Sequence, residues 1–225
     1  MVLGGILEQE EQLFAKWRQH LPQNLRESFV SDGAVNADAF TRSAPKILLL
    51  LKEVNDLGGG GWCLRELLTQ GERKETWDVV TRWVFAMRQS REVDWSELEH
   101  INHERRIAEL STIAAMNLKK IPGGHTTDAG SWWQAVMRDS EYIKRQYDIY
   151  KADLTICCGS IVTGAFNEHM KPSDAGPWKR TSRGIEYLQL EGNRIVIAYS
   201  HPQARIASNL IHYGLIDAVQ EIWRS

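Results

Sequence analysis

The chain predicts an α/β protein: three layers, α/β/α, around a central, mainly parallel four-stranded sheet with an added hairpin strand. Three observations carry this. Continuous apolar runs at Lys46–Leu51 (KILLLL), Thr112–Leu118 (TIAAMNL) and Ala152–Cys158 are too short for most helices and fit strands buried on both faces. Segments of helical period separate them. Two further strand-like runs, Ile185–Leu190 and Arg194–Tyr199, flank Glu191-Gly192-Asn193, which reads as a hairpin turn.

Ile6–Leu21 has Leu7, Leu13, Phe14, Trp17 and Leu21 near helical spacing and predicts an amphipathic helix. Ser31–Ala39, with Ser, Asp, Gly and Asn, reads as a loop. After the first strand, Trp62–Leu68, Thr76–Met87 and Glu104–Leu110 read as helices. Ser131–Tyr150 is a long helix, with Ser131 and Asp128 competing for its N-cap. Ile161–His169 is a short helix, Pro172–Arg183 a loop and Ala204–Arg224 the closing helix. Trp77, Trp83, Trp132, Trp133 and Trp223 lie in helical patterns and are expected in the core. With 225 residues, 43% of them hydrophobic and no linker or repeat, residues 1–225 read as one domain, with an N-terminal helical extension over about 1–43.

Composition narrows the function classes. A net charge of −2 excludes a uniformly basic nucleic-acid coat and leaves room for a local basic groove. No run approaches the roughly 18 apolar residues of a membrane span, and the first residues lack a signal-peptide pattern, so a cytoplasmic protein without membrane contact is expected. Cys63, Cys157 and Cys158 form no paired C-x-x-C arrangement. Buried thiols are expected, with no disulfide framework, metal or other cofactor.

Polar residues collect at strand ends. The first strand runs into Glu53, Asn55 and Asp56, then the glycines Gly58 to Gly61; the second ends in Asn117; the third in Gly159-Ser160; the last in His201-Pro202. Singly, each fits a turn or a cap. In a parallel sheet these ends meet along one edge, where ligands bind.

Their order resembles the uracil-DNA glycosylase superfamily. Its members carry a first motif of the type GQDPY, GMNPG or GEAPG, a middle strand ending in Asn, a later Gly-Ser turn and a last HPS motif opening the closing helix. The counterparts are KEVND at Lys52–Asp56, Asn117 in AMNLKK, CGS at Cys158–Ser160 and HPQAR at His201–Arg205, covering roughly Lys46 to Trp223. Lys52 stands at the first motif's leading Gly, Asn55 at its Pro, and Gln203 at the Ser of HPS.

The resemblance implies a monofunctional DNA glycosylase that leaves an abasic site, with the target base flipped out of the DNA. It assigns catalysis to Glu53, Asn55 and His201. Glu53 is favoured as water activator, and His201 donates a hydrogen bond to the pyrimidine O2. Asp56, Trp62 and Asn117 would bind the base; the Asn117 amide matches uracil or cytosine according to its flip. Gly58, Gly59, Lys119, Lys120, Ser160 and Arg205 would contact DNA; Lys179, Arg180 and Arg183 read as a solvated loop, with a further basic rim as the alternative. Where uracil-specific members carry an aromatic that blocks carbon five of the base, this chain has Asp56 followed by Leu57 and glycines. An open pocket implies a bulky base such as the glucosylated hydroxymethylcytosine of phage DNA. The alternatives are a uracil-excising repair enzyme, a catalytically silent module that binds modified DNA, and a nucleoside-processing transferase. Lys52 leaves lyase chemistry open.

Overall fold

The computed structural model describes residues 4–71, 74–89, 91–124 and 128–224. Its strands are β1 (Gly33–Ala34), β2 (Ile47–Leu51), β3 (Ile113–Asn117), β4 (Leu154–Cys158), β5 (Lys179–Arg180), β6 (Glu186–Gln189) and β7 (Ile195–Tyr199). Its α-helices are α1 (Ile6–His20), α2 (Ala37–Arg42), α3 (Leu64–Thr69), α4 (Lys74–Arg88), α5 (Trp95–Leu98), α6 (His103–Leu110), α7 (Ala129–Tyr150), α8 (Ser160–His169) and α9 (Ser208–Arg224).

The apolar runs form the middle of one sheet, ordered β1-β3-β2-β4-β7-β6-β5. Strands β3, β2, β4 and β7 are parallel, and β2 sits between β3 and β4 with Leu49 opposite Ala115 on one side and Ile156 on the other. Both faces of β2 are covered, which is why its five residues are all apolar and all buried. Antiparallel strands extend the parallel centre: β1 beside β3, β6 beside β7, and β5 beside β6. The expected three-layer α/β/α fold is therefore present, in a wider sheet.

Alternation along the strands divides the core in two. Leu48, Leu50, Ala114 and Met116 face a layer that includes α1, α7 and α8, where Phe14, Trp17, Trp132 and Phe166 pack. Leu49, Leu51, Ala115 and Ile156 face α3, α4, α6 and α9, where Leu64, Trp77, Trp83 and Leu215 pack. The N-terminal segment is built into the first layer: Leu13, Phe14 and Trp17 of α1 are buried, and Trp17 stacks on Tyr142 of α7.

Several local expectations change. Ser31–Ala39, read as a loop, contains β1 and the start of α2, because Gly33 and Ala34 pair with Ala115 and Ala114 across the sheet. Gly33 has φ +119°, and a Cβ there would come within 2.0 Å of Glu10 Oε1, so the close approach requires glycine. Pro172–Arg183 contains β5, and the short α5 was not legible. Asp128, not Ser131, caps α7: its carboxylate accepts from the Ser131 backbone N–H at 2.7 Å. Trp77, Trp83 and Trp132 are core residues and Trp133 is half-buried, whereas Trp223 is exposed on the last turn of α9. Cys157 and Cys158 are buried free thiols, and burial raises both far above the usual range. Among the described residues no helix is long and apolar enough to cross a membrane, and no cluster of His, Cys, Asp and Glu could hold a metal ion.

Candidate functional site

The four polar strand ends lie at the same edge of the sheet. Two pairs of ends are joined by backbone hydrogen bonds. Leu118 N donates to Leu51 O at 2.9 Å and Lys119 N to Lys52 O at 3.1 Å, so the exits of β2 and β3 run on together. Their loops stay joined through Gly123 N to Val54 O at 2.9 Å and Asp56 N to Gly123 O at 3.2 Å. On the other side, Gly159 N donates to Tyr199 O at 2.7 Å and ties the end of β4 to that of β7.

Between these two pairs, the ladder of β2 with β4 runs only to Leu50 opposite Cys157. From β2 the chain leaves towards α3 on one face, and from β4 towards α8 on the other. Neighbouring parallel strands whose connections leave to opposite faces open a crevice at their C-terminal ends, the usual ligand position in such sheets. Lys52 and Glu53 stand on one side of it and Gly159 and Ser160 on the other. The exits of β2 and β7, carrying Glu53 and His201, are two strand spacings apart, roughly 10 Å.

Glu53 is held firmly. Its side chain is 6% exposed; Oε1 lies 3.3 Å from Lys52 Nζ, and Oε2 accepts from Lys119 Nζ. Trp132 of α7 donates its indole N–H to Lys52 O at 3.3 Å and steadies the strand exit from below. Lys119, expected on DNA phosphates, is instead the partner of Glu53 and also reaches Pro122 O at 3.5 Å.

His201 is half-buried, and burial lowers its pKa, which keeps the imidazole neutral at pH 7. Its Nδ1 accepts from the Gln203 backbone N–H at 3.1 Å. A neutral ring that accepts at Nδ1 carries its proton on Nε2, so His201 is a hydrogen-bond donor through Nε2. Arg205, four residues on, is exposed, as is Ser160 on the first turn of α8.

The loop after β2 is organised by Asp56. Its carboxylate accepts from Gly58 N at 2.7 Å, Gly60 N at 3.1 Å and the Trp62 indole N–H at 2.7 Å. Asp56 and Trp62, expected on the base, thus support the loop. Gly60 has φ +84° and packs against Ser28 O, which a Cβ would meet at 2.3 Å. Gly58, Gly59 and Asn55 are exposed, with Asn55 bridged to Gly123. Leu57 projects from the same loop, 80% exposed.

Lys120 lies in the interior. Expected as a DNA contact, its ammonium is fully buried and sits on Asp32, at 2.6 and 2.8 Å from the two oxygens, so it cannot touch DNA. Lys119 and Lys120 follow β3 on opposite faces, and Lys120 falls on the α1/α7 side, 5.1 Å above the Trp17 ring. Of the alternative rim, Arg180 pairs with Glu186 at 2.7 Å, Arg183 with Asp217 at 3.1 Å, and Lys179 donates to Gln189 Oε1 at 3.1 Å.

Asn117, the end of β3, is 3% exposed, and its backbone N–H donates to Asp32 Oδ2 at 2.7 Å. Asp32 belongs to a buried polar network absent from the sequence reading. Gln146 of α7 donates to Asp32 Oδ1 and to Tyr150 Oη, both at 2.8 Å, and Tyr150 donates to Glu10 Oε1 at 2.9 Å. Arg65 pairs with Glu10 Oε2 at 2.8 Å. Burial pushes the Glu10 carboxyl up to about 7 against the opposing effects of the Ala34 N–H and Arg65. No local signal marks this network, since its members meet across the fold.

Cavities also lie away from these strand ends, and two of them border residues named above or near His201. One of about 720 Å³ is bordered by Ala34, Asn36, Arg42, Cys63 and Arg65; one of about 590 Å³ is bordered by Asp78, Arg82, Pro202, Gln203 and Ile206, beside the His201 turn. No protein-family model matches the chain, and no curated protein matches it.

Proposed function

We propose that the chain is a monofunctional DNA glycosylase of the uracil-DNA glycosylase type, hydrolysing the N-glycosidic bond of a modified pyrimidine and leaving an abasic site. The observation that carries this reading is the set of polar strand ends around the crevice between β2 and β4, with an acid on one side, an Nε2–H imidazole on the other and Asn117 beside them.

The chemistry follows from charge. As the N1–C1′ bond breaks, its electron pair goes to the base and C1′ becomes cationic. His201 Nε2–H donates to the pyrimidine O2, where the negative charge collects, without giving up its proton. Glu53 orients a water whose oxygen bonds to C1′ and favours the sugar cation beside it. The water's proton passes to the carboxylate and then to solvent. The base enters flipped out of the DNA, with exposed Arg205 and the N-terminus of α8 near the backbone phosphates. The open glycine loop leaves room beyond carbon five, which favours a bulky substituent such as glucosylated hydroxymethylcytosine over bare uracil.

One observation favours a second reading. Both Glu53 oxygens already face ammonium groups, Oε2 as acceptor from Lys119 and Oε1 in an ion pair with Lys52, which suits a modified-DNA-binding module without catalysis as well as a water-orienting acid. An oligonucleotide panel carrying uracil, hydroxymethylcytosine and glucosylated hydroxymethylcytosine, cleaved with alkali at abasic sites, decides between them. Abasic sites at the glucosylated base support the proposal, and cleavage at uracil alone removes the large-pocket part. A gel shift without abasic sites establishes the binding module; activity on free nucleosides and none on DNA establishes a transferase.

A further inference from the structure

We infer that Asp32, fixed in the core by Lys120, is a positioning residue that locks the Asn117 carboxamide in one of its two flips and so commits the site to one hydrogen-bonding pattern of the base. This rests on the proposed role of Asn117 in reading the base.

Asp32 accepts hydrogen bonds through both carboxylate oxygens. Its Oδ1 receives Lys120 Nζ at 2.6 Å and Gln146 Nε2 at 2.8 Å. Its Oδ2 receives Lys120 Nζ at 2.8 Å and the Asn117 backbone N–H at 2.7 Å, and the Asn117 side-chain nitrogen stands 3.4 Å away. A carboxylate paired with a buried ammonium has no proton to give and is an acceptor only. The amide end of Asn117 that faces it must therefore be the NH₂. An amide oxygen in that place would put two acceptors against each other in a dry interior, where an unmade hydrogen bond is costly. The Asn117 oxygen is turned away from Asp32.

A fully buried ion pair is no more stabilising than apolar residues of the same volume, so packing alone does not call for Asp32 and Lys120 at this position. Holding a neighbouring amide does. A freely flipping Asn serves the oxo edge of uracil and the amino edge of cytosine alike, whereas a locked one offers its acceptor and donor in a single order.

Asp32→Leu combined with Lys120→Met removes both buried charges together with the acceptor that faces the Asn117 amide, and keeps similar volume. The readout is base preference: the ratio of excision of an oxo base to its 4-amino counterpart in the same oligonucleotide, or the ratio of gel-shift affinities if nothing is excised. The preference of the wild-type chain is expected to fall roughly tenfold to hundredfold in the double variant, with its melting transition retained. If the wild-type chain excises bases and the ratio is unchanged in the variant, Asp32 does not set the flip. If it excises nothing but binds with a preference that the variant loses, the glycosylase reading fails and the positioning role stands. A wild-type chain with no preference in either readout overturns the inference.

A second measurement needs no activity. In asparagine-labelled wild-type protein, with Asn117 assigned by loss of its signals in Asn117→Ser, one Nδ2 proton should lie downfield and exchange slowly. Two rapidly exchanging Asn117 amide protons would overturn the inference.

Discussion

Lys119 and Lys120 are adjacent in sequence and opposite in fate. Lys119 lies at the sheet edge with its side chain 15% exposed and holds Glu53; Lys120 is fully buried and holds Asp32. The difference comes from the strand, since successive side chains leave a β-strand on opposite faces. At the edge, water shares the cost of keeping charges apart, so the Glu53 cluster can serve a reacting centre. In the core nothing replaces a lost partner, so the Asp32 cluster is suited to holding a neighbour still. Sequence proximity to a candidate motif therefore says little about a lysine's role.

The largest expected effect breaks the buried side. Lys120→Ala leaves Asp32 charged and unpaired and should cost about 3–5 kcal/mol in urea unfolding, and replacing both partners by apolar residues should recover most of the loss. Next is the edge acid: Glu53→Ala should lower base excision by about 10²–10⁴-fold while a cooperative urea transition is retained, and unchanged excision would remove Glu53 from water activation.

The third prediction concerns pH. The Glu10 carboxyl is raised by burial to about 7, from 4.5 in the unfolded chain. Between these values the folded state keeps a proton that the unfolded state releases. Stability should therefore fall as pH rises from about 5 to about 7, and the loss is complete above 7. Measured against Glu10→Gln, the wild-type chain should lose on the order of 3 kcal/mol over that window, and parallel stability curves would show that the buried acid is ionised throughout. The smallest effect returns to the edge: Lys119→Ala should cost about 1.5 kcal/mol, since Glu53 keeps Lys52 as its cation.

How much was legible depended on the range of the interaction. Ile47–Leu51 declared itself as a doubly covered strand because its apolar run needs no knowledge of what covers it. The His201 turn was legible as a polar strand end, and its tautomer follows from Gln203 two residues away. Asp32, in a segment read as loop, gave no sign of its role, since its partners lie 85, 88 and 114 residues away. Asp56 was read as a pocket residue because its position suggested one, whereas its oxygens hold its own loop.

The sequence by itself determined the α/β class, the four parallel strands and the polar strand ends, because strand burial and chain reversal are written in local patterns of apolar residues, glycine and proline. The tertiary structure alone decided that Lys119 meets Glu53 from 66 residues away and that Lys120 meets Asp32 from 88. It also decided that the chain leaves β2 and β4 towards opposite faces of the sheet. Those outcomes depend on which strands become neighbours and which face each side chain meets, and neither exists until the sheet has assembled.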